Sequence, residues 1–109
     1  MNTYKLVVYI PVGYVEQVKA AIFTAGAGKQ GHYDQCCWQT LGKGQFRPLA
    51  GSDPFIGAES KANGAVELVD EYRVEVLCEE ASLEGVVQAL KAAHPYEEPA
   101  YDVILRYPA

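Results

Sequence analysis

The chain has 109 residues, half of them hydrophobic, and carries a formal net charge of −5. That size and composition predict one domain, residues 1–109, with a sizeable buried core, and exclude a disordered chain. Its nine basic residues are scattered from Lys5 to Arg106, so no cluster can neutralise a phosphate backbone, and no apolar run is long enough to span a bilayer.

Residues 4–10, YKLVVYI, are β-branched and aromatic and stop at Pro11, which predicts a strand. Lys5 followed by so short a run does not make a signal peptide. Over residues 14–25, Val15, Val18, Ile22 and Ala25 share one stripe while Glu16, Gln17 and Lys19 lie off it, predicting an amphipathic helix with Gly26 suited to its C-terminal cap. Residues 33–41, YDQCCWQTL, read as a second strand, GKG as a turn, and QFRPL as a returning hairpin arm. Residues 50–64 are rich in small and polar groups and read as a loop. From 65 to 79, Val66, Leu68, Tyr72, Val74, Val76 and Cys78 alternate with Glu67, Glu71, Arg73, Glu75 and Glu79, predicting a strand with one buried and one wet face. Asp70 breaks the apolar parity and predicts a bulge near Val69–Asp70. Residues 82–93 place Leu83, Val86, Val87 and Leu90 on one stripe, with Ser82 as N-cap and Pro95 forbidding continuation. Residues 101–107, YDVILRY, form the last strand.

The order βαββαβ specifies an α+β, ferredoxin-like sandwich: a four-stranded antiparallel sheet with both helices on one face. Both parities of the first and last strands are substantially apolar, with Val7 and Tyr9 opposing Leu6 and Val8, and Ile104 opposing Val103 and Leu105. The helices can cover only one face, so the other predicts cover by further copies of the chain.

GAGKQG at residues 26–31 matches G-x-G-x-x-G by letter, but it follows a helix rather than opening one. A helix C-terminus repels phosphate, so nucleotide binding by this run is rejected and its glycines are assigned to a chain reversal. Three cysteines, two of them adjacent, make a poor disulfide framework and imply reduced thiols in the cytoplasm. Cys36 and Cys37, read as neighbours on a strand, point to opposite faces; Cys78 has core parity. His32 lies exposed in the Gly-rich turn, and His94 in the last helical turn, where the macrodipole favours an imidazolium. The nine residues HPYEEPAYD (94–102) concentrate a histidine, two tyrosines and three carboxylates. Glu97 and Glu98 are consecutive, hence divergent on an extended segment and ill placed as a catalytic pair. No Ser-His-Asp set, G-x-S-x-G, P-loop or His-Glu-x-x-His occurs, so catalytic residues are read as none.

The segments AGAGKQGHYDQCCW, GKGQFRPLAGSDPFIG and HPYEEPAYD resemble the small domain inserted in YqfO-type proteins of the Nif-like dinuclear-metal hexamer family, once labelled GTP cyclohydrolase type 2. HPYEEPAYD also resembles a stretch of the CutA-type divalent-ion tolerance proteins, ferredoxin-like trimers related in shape to PII signalling proteins. In the larger family the dinuclear centre lies in the flanking domains, so the resemblance implies the insert without its hydrolase chemistry. It implies a CutA- or PII-like module, a homotrimer with a regulatory or ligand-binding role; the family's proposed copper site maps onto His94, Tyr96 and Glu97.

The resulting expectation is a non-catalytic module whose ligand cleft is lined by His32, Tyr33, His94, Tyr96, Glu97, Glu98 and Tyr101. The alternatives are a divalent copper or zinc ion held by His94, Glu97, His32 and Cys36, and a small enzyme of unassigned reaction.

Overall fold

A computed structural model describes residues 1–107. Strands β1 (Thr3–Pro11), β2 (Trp38–Phe46), β3 (Glu67–Glu79) and β4 (Tyr101–Leu105) form one antiparallel sheet in the order β2-β3-β1-β4. Helices α1 (Val15–Thr24) and α3 (Glu80–Ala93) lie on one face, and a short helix α2 (Ala58–Asn63) interrupts the predicted 50–64 loop. This is the expected ferredoxin-like sandwich.

The core follows from the two periodicities. Leu6, Val8 and Ile10 of β1 and Val74, Val76 and Cys78 of β3 meet Val15, Val18 and Ile22 of α1 and Val86 and Leu90 of α3. Each fully buried aliphatic there contributes about 1.5–3 kcal/mol of hydrophobic stabilisation. Helix α1 closes with a Schellman motif: Gly26 N–H donates to Phe23 O, Ala27 N–H donates to Ile22 O, and Gly26 adopts φ +117°. A Cβ at Gly26 would also sit 2.9 Å from Ser82 Oγ. The bareness of that glycine therefore lets the end of α1 approach the start of α3. Gly28 and Gly31 also have positive φ, as the reversal requires.

Several boundaries differ from expectation. Ser82 is not the N-cap: β3 runs straight into α3, so Glu79 takes that place in an extended conformation without a side-chain cap bond. β2 does not turn at GKG but continues through it, pairing Gly42 with Glu71 and Gly44 with Val69. Residues 33–37, read as strand, instead form the loop before β2, where Gln35 has φ +54°. Cys36 and Cys37 are therefore not strand neighbours. No bulge occurs at Asp70, since the β2–β3 register runs unbroken from Trp38↔Glu75 to Phe46↔Glu67. The parity break has another cause. β1 ends opposite Glu71, and past that point β2 and β3 continue as a two-stranded arm that α2 flanks through Ser60 and Glu67. Val66 and Leu68, expected in the core, are exposed there.

The helix-free face is mixed rather than uniformly apolar. Lys5 Nζ lies 2.9 Å from Glu75 Oε1, and Arg73 Nη1 donates to Tyr9 Oη at 2.9 Å. Val7 on this face is already fully buried within the chain, whereas Trp38 is 68% and Ile104 49% exposed.

Candidate functional site

The junction at the end of β1 is where the sequence concentrates its chemistry. Pro95 disfavours a helical conformation for the residue before it, so His94 ends α3 with extended dihedrals (φ −73°, ψ 134°). Its ring turns inward and is 5% exposed. Tyr96 N–H donates to Nδ1 at 3.1 Å, which fixes the proton on Nε2, and Nε2 donates to Tyr9 O at 2.7 Å. Burial holds the imidazole below its ordinary pKa, against the opposing pull of the Tyr9 carbonyl and the Glu71 charge. The expected imidazolium at the helix end is thus replaced by a neutral ring that joins the backbones of β1 and the 94–100 segment.

Tyr96 reaches the other way and donates from its hydroxyl to Glu71 Oε2 at 2.8 Å. Burial, with help from Glu71, pushes this phenol far above its ordinary pKa, so it remains a donor. Glu71 has the parity of the wet face but is only 9% exposed. Gly44 makes its position possible, because any Cβ there would lie 2.1 Å from Glu71 Oε1. Among the described residues, Oε1 receives no hydrogen bond. Phe46 packs edge-on against Tyr96, with ring centroids 6.0 Å apart.

These groups form the floor of a cleft of about 410 Å³ between the 94–100 segment and the loop of residues 47–56. Its walls are apolar, with Phe46, Leu49, Pro54, Phe55 and Ile56. The loop is tied down on both sides: Phe55 packs edge-on against Tyr14 at 5.4 Å, and Glu97 Oε1 accepts from Asp53 N–H at 3.1 Å. The charged lining comprises Glu71, Glu97, Glu98 and Arg47. A buried carboxylate at the foot of an apolar cleft is suited to recognising a ligand that brings hydrogen-bond donors.

Three of the residues expected at a ligand site, Tyr96, Glu97 and Glu98, line this cleft, and His94 supports it from below. Tyr101 instead packs against the core at the start of β4, with Lys91 Nζ 5.7 Å from its ring centroid. His32 and Tyr33 are exposed in the loop closed by the Gln30–Tyr33 bridge. That loop is anchored through Gly28 N–H to Leu77 O, opposite Lys5, while His94 holds Tyr9. The two groups therefore lie at opposite ends of the sheet. The expected metal set does not assemble within one chain: His32 and Cys36 are at one end, and His94 and Glu97 at the other. His94 also has both ring nitrogens engaged. Among the described residues, no cluster of three or more His, Cys, Asp or Glu side chains is arranged to hold a metal ion. Glu71, Gly44, Phe46 and the 47–56 loop were not anticipated as site residues. The signals were present in the glycine inside a strand and the parity break beside Glu71.

No protein-family model matches the chain. It is 45% identical over 104 residues to a "GTP cyclohydrolase 1 type 2 homolog" of Mycobacterium leprae, covering 95% of this chain and 26% of that protein. Among solved structures it is similar to the Bacillus cereus protein related to NIF3, with a TM-score of 0.80 and 36% identity over 96% of this chain and 26% of that one. It also superposes on the periplasmic divalent cation tolerance protein CutA of Archaeoglobus fulgidus with a TM-score of 0.64, covering 94% of this chain and 81% of that one. At 16% identity that last likeness concerns the fold alone. The chain thus spans about a quarter of the length of the curated relatives it matches, and it corresponds to one CutA-like segment of these NIF3-related proteins.

Proposed function

We propose that the chain is a non-catalytic, ligand-binding or regulatory module of the CutA/PII-like type that acts as a homotrimer in the cytoplasm. The observation that carries the ligand-binding reading is the cleft between residues 47–56 and 94–100, with the Glu71–Tyr96 pair at its floor. Its polar groups are few and its walls apolar, the usual build of a small-molecule pocket. Among the described residues, the side chain hydrogen-bonded to Glu71 is a phenol that stays protonated. This favours recognition over turnover.

The homotrimer reading is supported by the exposure of Trp38 and Ile104 on the helix-free face, of Leu41 in β2, of Leu68 on the projecting arm and of Val66 just before it. β4 and β2 are also edge strands with unpaired backbone groups on their outer sides. Sedimentation at micromolar concentration tests this: the expected mass is about three times the 11.9 kDa of the chain, and a monomer would remove the trimer. The cytoplasmic setting is supported by the free thiols of Cys36, Cys37 and Cys78.

A further inference from the structure

We infer that the cleft between the 47–56 loop and the 94–100 segment selects a small organic cation, with an amine or amidine head on Glu71 and an apolar or aromatic body between Phe46 and Phe55. This rests on the ligand-binding reading and adds the chemistry of the ligand to it. Glu71 carries the argument. It is 9% exposed, lines the cleft, and has Oε2 occupied by the Tyr96 hydroxyl at 2.8 Å. Among the described residues Oε1 has no donor, although it lies against Gly44, where no side chain could intrude. A carboxylate with one oxygen bonded to Tyr96 and the other open to the cleft gains from a partner that brings both N–H donors and positive charge.

The surroundings sharpen the choice. Three of the four charged groups lining the cleft are carboxylates; Glu97, Glu98 and the fourth, Arg47, are exposed, whereas Glu71 is buried. An anion would face three carboxylates against the single cation of Arg47. A bare metal ion would need several converging ligands, whereas Glu97 is committed to the Asp53 amide and, among the described residues, no three His, Cys, Asp or Glu side chains converge. A cation with an apolar body satisfies both halves of the cleft: the head meets the carboxylate, and the body replaces water against Phe46, Leu49, Phe55 and Ile56.

The experiment is a titration of the ¹⁵N,¹³C-labelled chain with three compounds of matched size: phenethylamine, 2-phenylethanol and phenylacetate. Phenethylamine is expected to shift the resonances of Phe46, Phe55 and Tyr96 saturably, at least tenfold more tightly than 2-phenylethanol, with phenylacetate weakest. Glu71→Gln, which keeps an acceptor for Tyr96, should reduce phenethylamine affinity at least tenfold, to the level of the neutral compound. Tyr96→Phe leaves the carboxylate in place and should keep or raise the affinity. Equal affinity for phenethylamine and 2-phenylethanol at these residues, or an unchanged affinity in a folded Glu71→Gln protein, overturns the cation assignment while the ligand cleft stands. A tenfold loss in Tyr96→Phe overturns it as well, by moving recognition to the phenol. No saturable shift with any of the three compounds removes both this inference and the ligand-binding reading.

Discussion

Substituting Gly44 by alanine tests whether the Glu71–Tyr96 pair is held by close approach of the strand. The added Cβ would lie 2.1 Å from Glu71 Oε1, 2.5 Å from Cδ and 3.0 Å from Oε2, so the whole carboxylate must move. Moving it breaks the 2.8 Å bond from Tyr96. A hydrogen bond to a charged group contributes about 1.5–3 kcal/mol, and the phenol would be left half-buried without its acceptor. Against this, replacing a strand glycine by alanine recovers about 0.5–1 kcal/mol of backbone entropy. The expected net loss is about 1–2 kcal/mol. It should appear in urea unfolding followed by circular dichroism at fixed protein concentration, with an unchanged m-value. In a Tyr96→Phe background the same substitution should cost nothing, because the bond it breaks is already gone. A Gly44→Ala protein as stable as the parent, or an equal cost in both backgrounds, would refute the reasoning.

Because burial keeps His94 neutral, the unfolded chain binds a proton below its ordinary pKa of 6.5 that the folded chain resists. Stability should therefore be full above that pH and decline as pH falls below it; urea midpoints in His94→Gln should lose this slope between pH 6.5 and 4.5. Glu75, held below its ordinary 4.5 first by the hydrogen bond from Lys5, should show the same direction of change in a separate window beneath 4.5. Its loss on acidification should disappear in Lys5→Met, measured the same way. Ile104→Lys places a charge on the exposed, helix-free face beside the β4 edge and should shift the sedimenting species toward monomer without altering the far-ultraviolet spectrum.

The elements with strong local periodicity were legible in the sequence. β1, α1, α3 and the part of β3 over the helices each present an apolar stripe, and the structure buries those stripes together. β2 is hidden from a local reading because Gly42 and Gly44 carry the local signature of a turn, while the reason for glycine at position 44 lies across the strand pair in Glu71. The same non-locality hid half of the site. Tyr96, Glu97 and Glu98 announce themselves as a cluster, but Glu71 looks like one more solvated residue of an alternating strand. Only the end of β1 opposite it, and the return of the chain after Pro95, show that it is enclosed. His94 was misread for a related reason: the macrodipole argument applies to an exposed helix end, and here the ring is turned inward onto the Tyr9 carbonyl.

The pairing of β1 with β4 has an architectural consequence. Tyr4 lies opposite Leu105, and Arg106 N–H donates to Thr3 O at 3.0 Å, so the polypeptide comes in and goes out through a single doorway. A unit built this way can be spliced into a surface loop of a host protein while demanding of that loop little more than the spacing of two neighbouring strands, about 5 Å. The host need not open its own core to accommodate the guest, and the guest keeps its cleft at the far end of the sheet, away from the splice.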